Sequence, residues 1–112
     1  FPGRRSNAGC AAAMVADLVI SPEAEQDVAD AYAWYERQRI GLGEEFLSCV
    51  DACIQAIRRA PELFAVVHED YRRALVRRFP YAVFYEFLHG AVTVYCVFHT
   101  ARDPAKWRER LP

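Results

Sequence analysis

The sequence predicts an α+β domain in the order β-α-α-β-β-β-α: a helical hairpin packed on a small antiparallel sheet, closed by a short C-terminal helix. Three observations carry that prediction. Apolar residues recur every three or four positions from Ala24 to Tyr35 and again from Phe46 to Ile57, the spacing of helices with one buried face. Between Tyr71 and His99 the chain turns to short β-branched and aromatic runs, among them Tyr81-Ala82-Val83-Phe84-Tyr85-Glu86-Phe87, which read as strands. The 112 residues suffice for one domain with its own core, without disulfides or metal. No apolar run approaches the roughly 18 residues of a membrane span.

Residues 1–13 show no period and are rich in small side chains, and Met14 is the only methionine. We therefore expect the natural product to start at Met14, with residues 1–13 a non-native or disordered N-terminal extension and residues 14–112 the single domain. Val15 to Ile20 is the first strand. Ser21 suits a helix N-cap, Pro22 the first helical position, and Glu23 and Glu25 the positive end of the helix dipole. Ala24, Val28, Ala31, Tyr32 and Tyr35 form the buried stripe of this helix, with Glu23, Asp27, Asp30 and Glu36 on its other side. Gly41 and Gly43 bracket a turn, and Glu44-Glu45 opens a second helix with the stripe Phe46, Val50, Cys53, Ile54 and Ile57. Arg58 and Arg59 stand at its negative end and Pro61 closes it. So short a turn makes the two helices an antiparallel hairpin.

From Pro61 to Asp70 the chain reads as a loop with Leu63, Phe64, Val66 and Val67 tucked against the core. Strands follow at about Tyr71 to Arg78, Tyr81 to Leu88 and Ala91 to His99, the last two joined by His89-Gly90, a tight turn with positive φ at the glycine. Asp103-Pro104 is a second cap and first-position pair, starting a short basic helix through Trp107 toward Arg110. Both sides of the later strands are apolar. Tyr81, Val83, Tyr85 and Phe87 share one face and Ala82 and Phe84 the other; beside them Val92, Val94, Cys96 and Phe98 oppose Tyr95 and Val97. A sheet covered on one side only should alternate with polar residues. The hairpin covers one side and the last helix is too short for the rest, which predicts a concave apolar and basic surface open to a partner.

Charge is divided along the chain. Residues 14–70 carry twelve acids against four bases, a balance of −8, whereas residues 71–112 carry eight bases against three acids, a balance of +5. Four of those bases, Arg72, Arg73, Arg77 and Arg78, crowd the margin of the most apolar run. Arginine offers carboxylate or phosphate a planar fork, so this edge suits an anionic partner, although solvated pairing with Asp70 and Glu86 would account for it too. The cysteines Cys10, Cys49, Cys53 and Cys96 lack a metal or redox spacing and read as buried free thiols of a reducing cytosol. His68, His89 and His99 are too scattered for a metal triad. His99, at a strand end near Arg102, is the one acid-base candidate, with a structural histidine bonded to a neighbour as the alternative. No cofactor motif is present.

The order of elements, Arg77-Arg78-Phe79-Pro80-Tyr81 with Tyr85 four residues on, and His99-Thr100-Ala101-Arg102-Asp103-Pro104 followed by Trp107 and Arg110 resemble the RelE/ParE toxins of bacterial type II toxin-antitoxin modules. Ser21-Pro22-Glu23-Ala24 and Pro61-Glu62-Leu63-Phe64 add to the resemblance, which covers roughly Val15 to Arg110. It implies a cytoplasmic toxin neutralised by a small antitoxin that wraps the domain, acting either as a RelE-type ribosome-dependent mRNA endoribonuclease or as a ParE-type inhibitor of DNA gyrase.

RelE-like members are similar in using lysines and arginines on the central strands with a tyrosine near the C-terminus. By that resemblance the catalytic set would be Arg73, Arg77, His99 and Arg102. Leu75 and Ala82 stand where the nucleases carry further cations, however, and Trp107 stands near the place of the tyrosine, so the set is incomplete. The expectation is therefore a ParE-like, non-enzymatic inhibitor of growth with Arg72, Arg73, Arg77, Arg78, Tyr81, Arg102, Trp107 and Arg110 binding the target or the antitoxin. A nuclease, or a family member that has lost toxicity and only binds, are the alternatives.

Overall fold

The computed structural model describes residues 15–101 and 106–111. Its elements are β1 (Asp17–Ile20), α1 (Pro22–Gln38), α2 (Leu42–Arg59), β2 (Ala65–His68), β3 (Tyr71–Leu75), β4 (Tyr81–Leu88), β5 (Ala91–His99) and α3 (Lys106–Arg110). The five strands form one sheet in the order β1-β5-β4-β3-β2. β1 lies parallel to β5, and the remaining pairs are antiparallel. The expected α+β architecture is thus present, with the helical hairpin on one face, termed here the inner face. The proposed extension and the Asp103-Pro104 cap lie outside the described residues.

Ser21 caps α1 as expected: its Oγ accepts the Ala24 N–H at 3.1 Å and donates to the Tyr95 carbonyl at 3.2 Å, tying the helix start to the sheet. The turn between the helices is built around Glu36. Its carboxylate accepts the backbone N–H groups of Gly41 (3.0 Å) and Gly43 (2.9 Å), filling the role of an N-cap for α2 from the last turns of α1. Glu36 therefore faces the hairpin turn rather than lying idle on the polar side of its helix. Gly41 takes φ +91° in the turn, and a Cβ on Gly43 would sit 2.8 Å from the Tyr32 ring, so both glycines are required by geometry.

The inner core joins Phe46, Val50, Ile54 and Ile57 of α2 to Val83, Tyr85, Val92, Val94 and Val97 of the sheet. Tyr35, Phe46, Phe79 and Tyr81 form an aromatic knot with ring centroids 5.0–6.2 Å apart. The Tyr85 hydroxyl, fully buried, donates to the Pro61 carbonyl at 2.6 Å.

Four sequence expectations need correction. The stretch read as a loop contains β2, whose pairing with β3 supplies backbone partners that its short, uneven sequence does not advertise. Leu63 and Val66 are exposed there, at 77% and 52%, while Phe64 and Val67 do pack inward. The strand begun at Tyr71 ends at Leu75; residues 77–80 bend, Arg78 adopts φ +72°, and Phe79 turns into the core. The strict alternation read along β5 fails at Tyr95. Tyr85 pairs with Val94 and Phe84 with Cys96, so Tyr95 is an extra residue, a β-bulge. Beyond it Cys96 and Phe98 join the outer face and Val97 the inner one.

The fourth correction concerns cover. α3 spans five residues, yet it shields a second small core of Ala82, Phe84 and Cys96 on the outer face. Trp107 achieves this by stacking on Phe84 at 4.7 Å and 16°. Arg110 then reaches round the edge of β5, over the Phe98 ring, and grips Asp27 of α1 through two hydrogen bonds of 3.2 and 2.9 Å. Asp27 also accepts the Val97 N–H at 3.0 Å. At the other sheet turn, His89 and Gly90 both take positive φ, 53° and 79°, the conformation of a type I′ hairpin.

Candidate partner-binding surfaces

The arginines grouped by sequence separate in space. Arg72 points its guanidinium at the carbonyls of Glu62 (3.0 Å) and Phe64 (2.7 Å); it fastens the connection into β2. Arg73 is exposed and pairs across the ladder with Phe84, which places it on the outer face. Arg77 and Arg78 stand out from the bend that Phe79 anchors. Arg78 meets Glu45 at 3.1 Å, and Glu45 also meets Arg39 at 3.4 Å; exposed pairs of this kind contribute little.

His99 faces the opposite way from Arg73. It pairs with Tyr81 and lies edge-on to that ring at 5.2 Å, on the side of the helices. Its Nδ1 accepts the Ala101 N–H at 3.0 Å, so the ring proton of the neutral form sits on Nε2. Tyr81 is part of the aromatic knot, Trp107 covers Phe84, and Arg110 is held by Asp27, whose hydrogen bonding raises the arginine's already high pKa. Arg102 lies outside the described residues. Arg73, Arg77 and His99 thus occupy three different surfaces.

Two grooves remain. The first, about 550 Å³, runs between α1 and the adjoining ends of β4 and β5, with Trp34, Tyr35, Arg37, Asp30, Tyr81 and His99 among its walls. Its charges are mixed. The second, about 620 Å³, lies between α2 and the end of β3. Phe64, Ala52 and Ala56 give it an apolar lining, the Leu75 backbone borders it while the register turns that side chain to the outer face, Arg59, Arg77 and Arg78 stand around it, and no acid among the described residues lines it. Cys49 and Cys53 open onto this groove; burial pushes the Cys53 thiol up to about 11. Sequence reading assigned Arg59 only to the helix dipole and the thiols only to the core. The spacing of Ser48, Ala52 and Ala56, small residues one helical turn apart, was the available hint of a shallow side on α2.

The family model for the ParE toxin of the type II toxin-antitoxin system parDE matches residues 18–104. The chain belongs to the ParE toxin family. Among solved structures it is similar to one described as the chromosomal ParDE TA system from P. aeruginosa, with a TM-score of 0.68 over 77% of this chain and 97% of that one. At 10% identity that likeness speaks to the ParE fold alone. No curated protein matches the chain. Among the described residues of this ParE-family domain, no helix is long and apolar enough to cross a membrane, and no group of three or more His, Cys, Asp or Glu could hold a metal ion.

Proposed function

We propose that the protein is a ParE-like toxin that acts by binding: it inhibits an essential target, DNA gyrase, and is neutralised by a cognate antitoxin. Family membership supports the general reading. The observation that favours binding over RNA cleavage is the separation of Arg73 on the outer face from His99 on the helix side. Attack of a 2′-hydroxyl on the adjacent phosphate needs a base, an acid and cations converging within hydrogen-bond reach of one group, and a sheet stands between these two.

The test is a supercoiling assay with purified toxin, gyrase and ATP. The expected result is loss of supercoiling at toxin excess and its return when antitoxin is added. Normal supercoiling throughout, together with new 5′ ends on ribosome-bound message, would replace this reading with a nuclease. Unimpaired growth on induction without antitoxin would instead mark a member that only binds.

A further inference from the structure

Cys49 and Cys53 stand four residues apart on α2, both line the groove beside that helix, and both are free thiols. Side chains at this spacing share one helix face, the second leaning back over the first, with Cβ atoms about 5–6 Å apart. That is wider than the ~3.5–4.5 Å across a disulfide. It suits a linear sulfur–metal–sulfur unit, whose sulfurs lie ~4.6 Å apart, twice a thiolate–metal bond of ~2.3 Å. Among the described residues no third or fourth His, Cys, Asp or Glu joins the pair. An ion that requires four ligands, such as zinc, therefore finds only half of them here.

We propose that Cys49 and Cys53 form a two-coordinate site for copper(I), a soft monovalent ion that thiolates select, with the arginines of the groove balancing the complex. The surroundings favour one charge type. A monovalent cation that binds two thiols releases two protons to solvent and leaves a dithiolate complex of net charge −1; no electron is transferred. A divalent ion would leave a neutral complex, which gains nothing from cations nearby. Arg59, Arg77 and Arg78 stand around the groove and no acid among the described residues lines it. Arg78 is shared with Glu45, whereas no hydrogen bond or ion pair ties Arg59 or Arg77 to another described residue. Before metal arrives the Cys53 thiol is protonated, because burial pushes it up to about 11, and its Sγ lies 3.7 Å from the Leu75 carbonyl. The ion displaces that proton and the weak hydrogen bond with it.

The test is an anaerobic titration of the reduced full chain with copper(I), kept reduced by ascorbate, in competition with the chromophoric chelator bicinchoninate. One ion per chain is expected, and Cys49→Ser and Cys53→Ser should each weaken its binding by ~100-fold or more. Cys96→Ser on the outer face, and Cys10→Ser outside the described residues, should leave it unchanged. The double reversal Arg59→Glu, Arg77→Glu should lower copper affinity ~10-fold, with far-ultraviolet circular dichroism confirming that the fold is kept. A second readout needs no variant: copper(I) bound to the wild-type chain should slow alkylation of Cys49 and Cys53 by N-ethylmaleimide at least ~10-fold, followed peptide by peptide by mass spectrometry. Binding that survives loss of either thiol, that disappears with Cys10→Ser, or that saturates at one ion per two chains would overturn the site. So would displacement of the copper by equimolar zinc. An affinity indifferent to the double reversal would overturn the part given to the arginines.

Discussion

The two faces of the sheet are buried by different means. The inner face is covered by thirty-five helical residues in α1 and α2 and holds an aromatic knot at its centre. Among the described residues the outer core is covered by the Trp107 indole with Leu111, Val67 and Phe98 beside it, and the helix that carries the indole is held from the far side by an arginine. Redundancy separates them: many side chains share the work on the inner face, while the described part of the outer cover depends chiefly on Trp107 and on the Arg110–Asp27 clip.

Phe46→Ala should break the inner face with the largest effect. The ring is fully buried and lies 5.1–5.3 Å from those of Tyr35, Phe79 and Tyr81, so its removal should cost about 3–5 kcal/mol in denaturant unfolding. Trp107→Ala should cost less, about 2 kcal/mol, because the indole is only half-buried and the five-residue helix can yield. Its distinguishing result is increased binding of a hydrophobic dye to Phe84 and Ala82 at unchanged far-ultraviolet circular dichroism. Equal costs for the two variants would contradict the contrast between the faces.

A gentler comparison uses pH. Burial raises the Tyr85 hydroxyl of the inner face from 10.0 to about 12 and the Cys96 thiol of the outer face from 9.0 to about 12. Both groups are neutral when protonated, so between those values the folded chain keeps protons that the unfolded chain releases. Stability should therefore be full below about pH 9 and decline as pH rises toward 12. Cys96→Ala should make the first part of this decline, between about pH 9 and 10, shallower but not abolish it, because the Cys53 thiol is raised from 9.0 to about 11 and contributes over the same range; the urea midpoint against pH measures the change. A slope between about pH 9 and 10 unmoved by that substitution would show that the outer thiol is not protected by burial.

Much of the fold was legible because its strongest patterns are local. The stripes of α1 and α2, the Ser21-Pro22 cap and the His89-Gly90 turn are each decided within a few residues and form in the main as read, although Tyr32 lies outside the core and Asp27 is drawn onto the sheet. β2 was not legible: Ala65-Val66-Val67-His68 has no alternation of its own and becomes a strand only through the ladder offered by β3. The bulge at Tyr95 was hidden because β5 is apolar at nearly every position, so a shifted parity leaves no mark in the sequence. The candidate surfaces were half legible. Arginine identity could be read, but whether a guanidinium turns inward to carbonyls, as Arg72 does, or stands beside a groove, as Arg59 and Arg77 do, depends on contacts between elements distant in the chain.

The bulge has a consequence for chemistry as well as for packing. Counted by strict alternation from Val94, His99 would fall on the same side of the sheet as Tyr95 and hence as Arg73. The single absorbed residue turns it to the opposite side and seats it against Tyr81. Histidine and arginine are kept apart by a residue of chain length, so no exchange of side chains at either position would bring them together; only a slip in register of the last strand would. In this domain, which reactions lie within reach is set by counting residues along β5 before it is set by which residues they are.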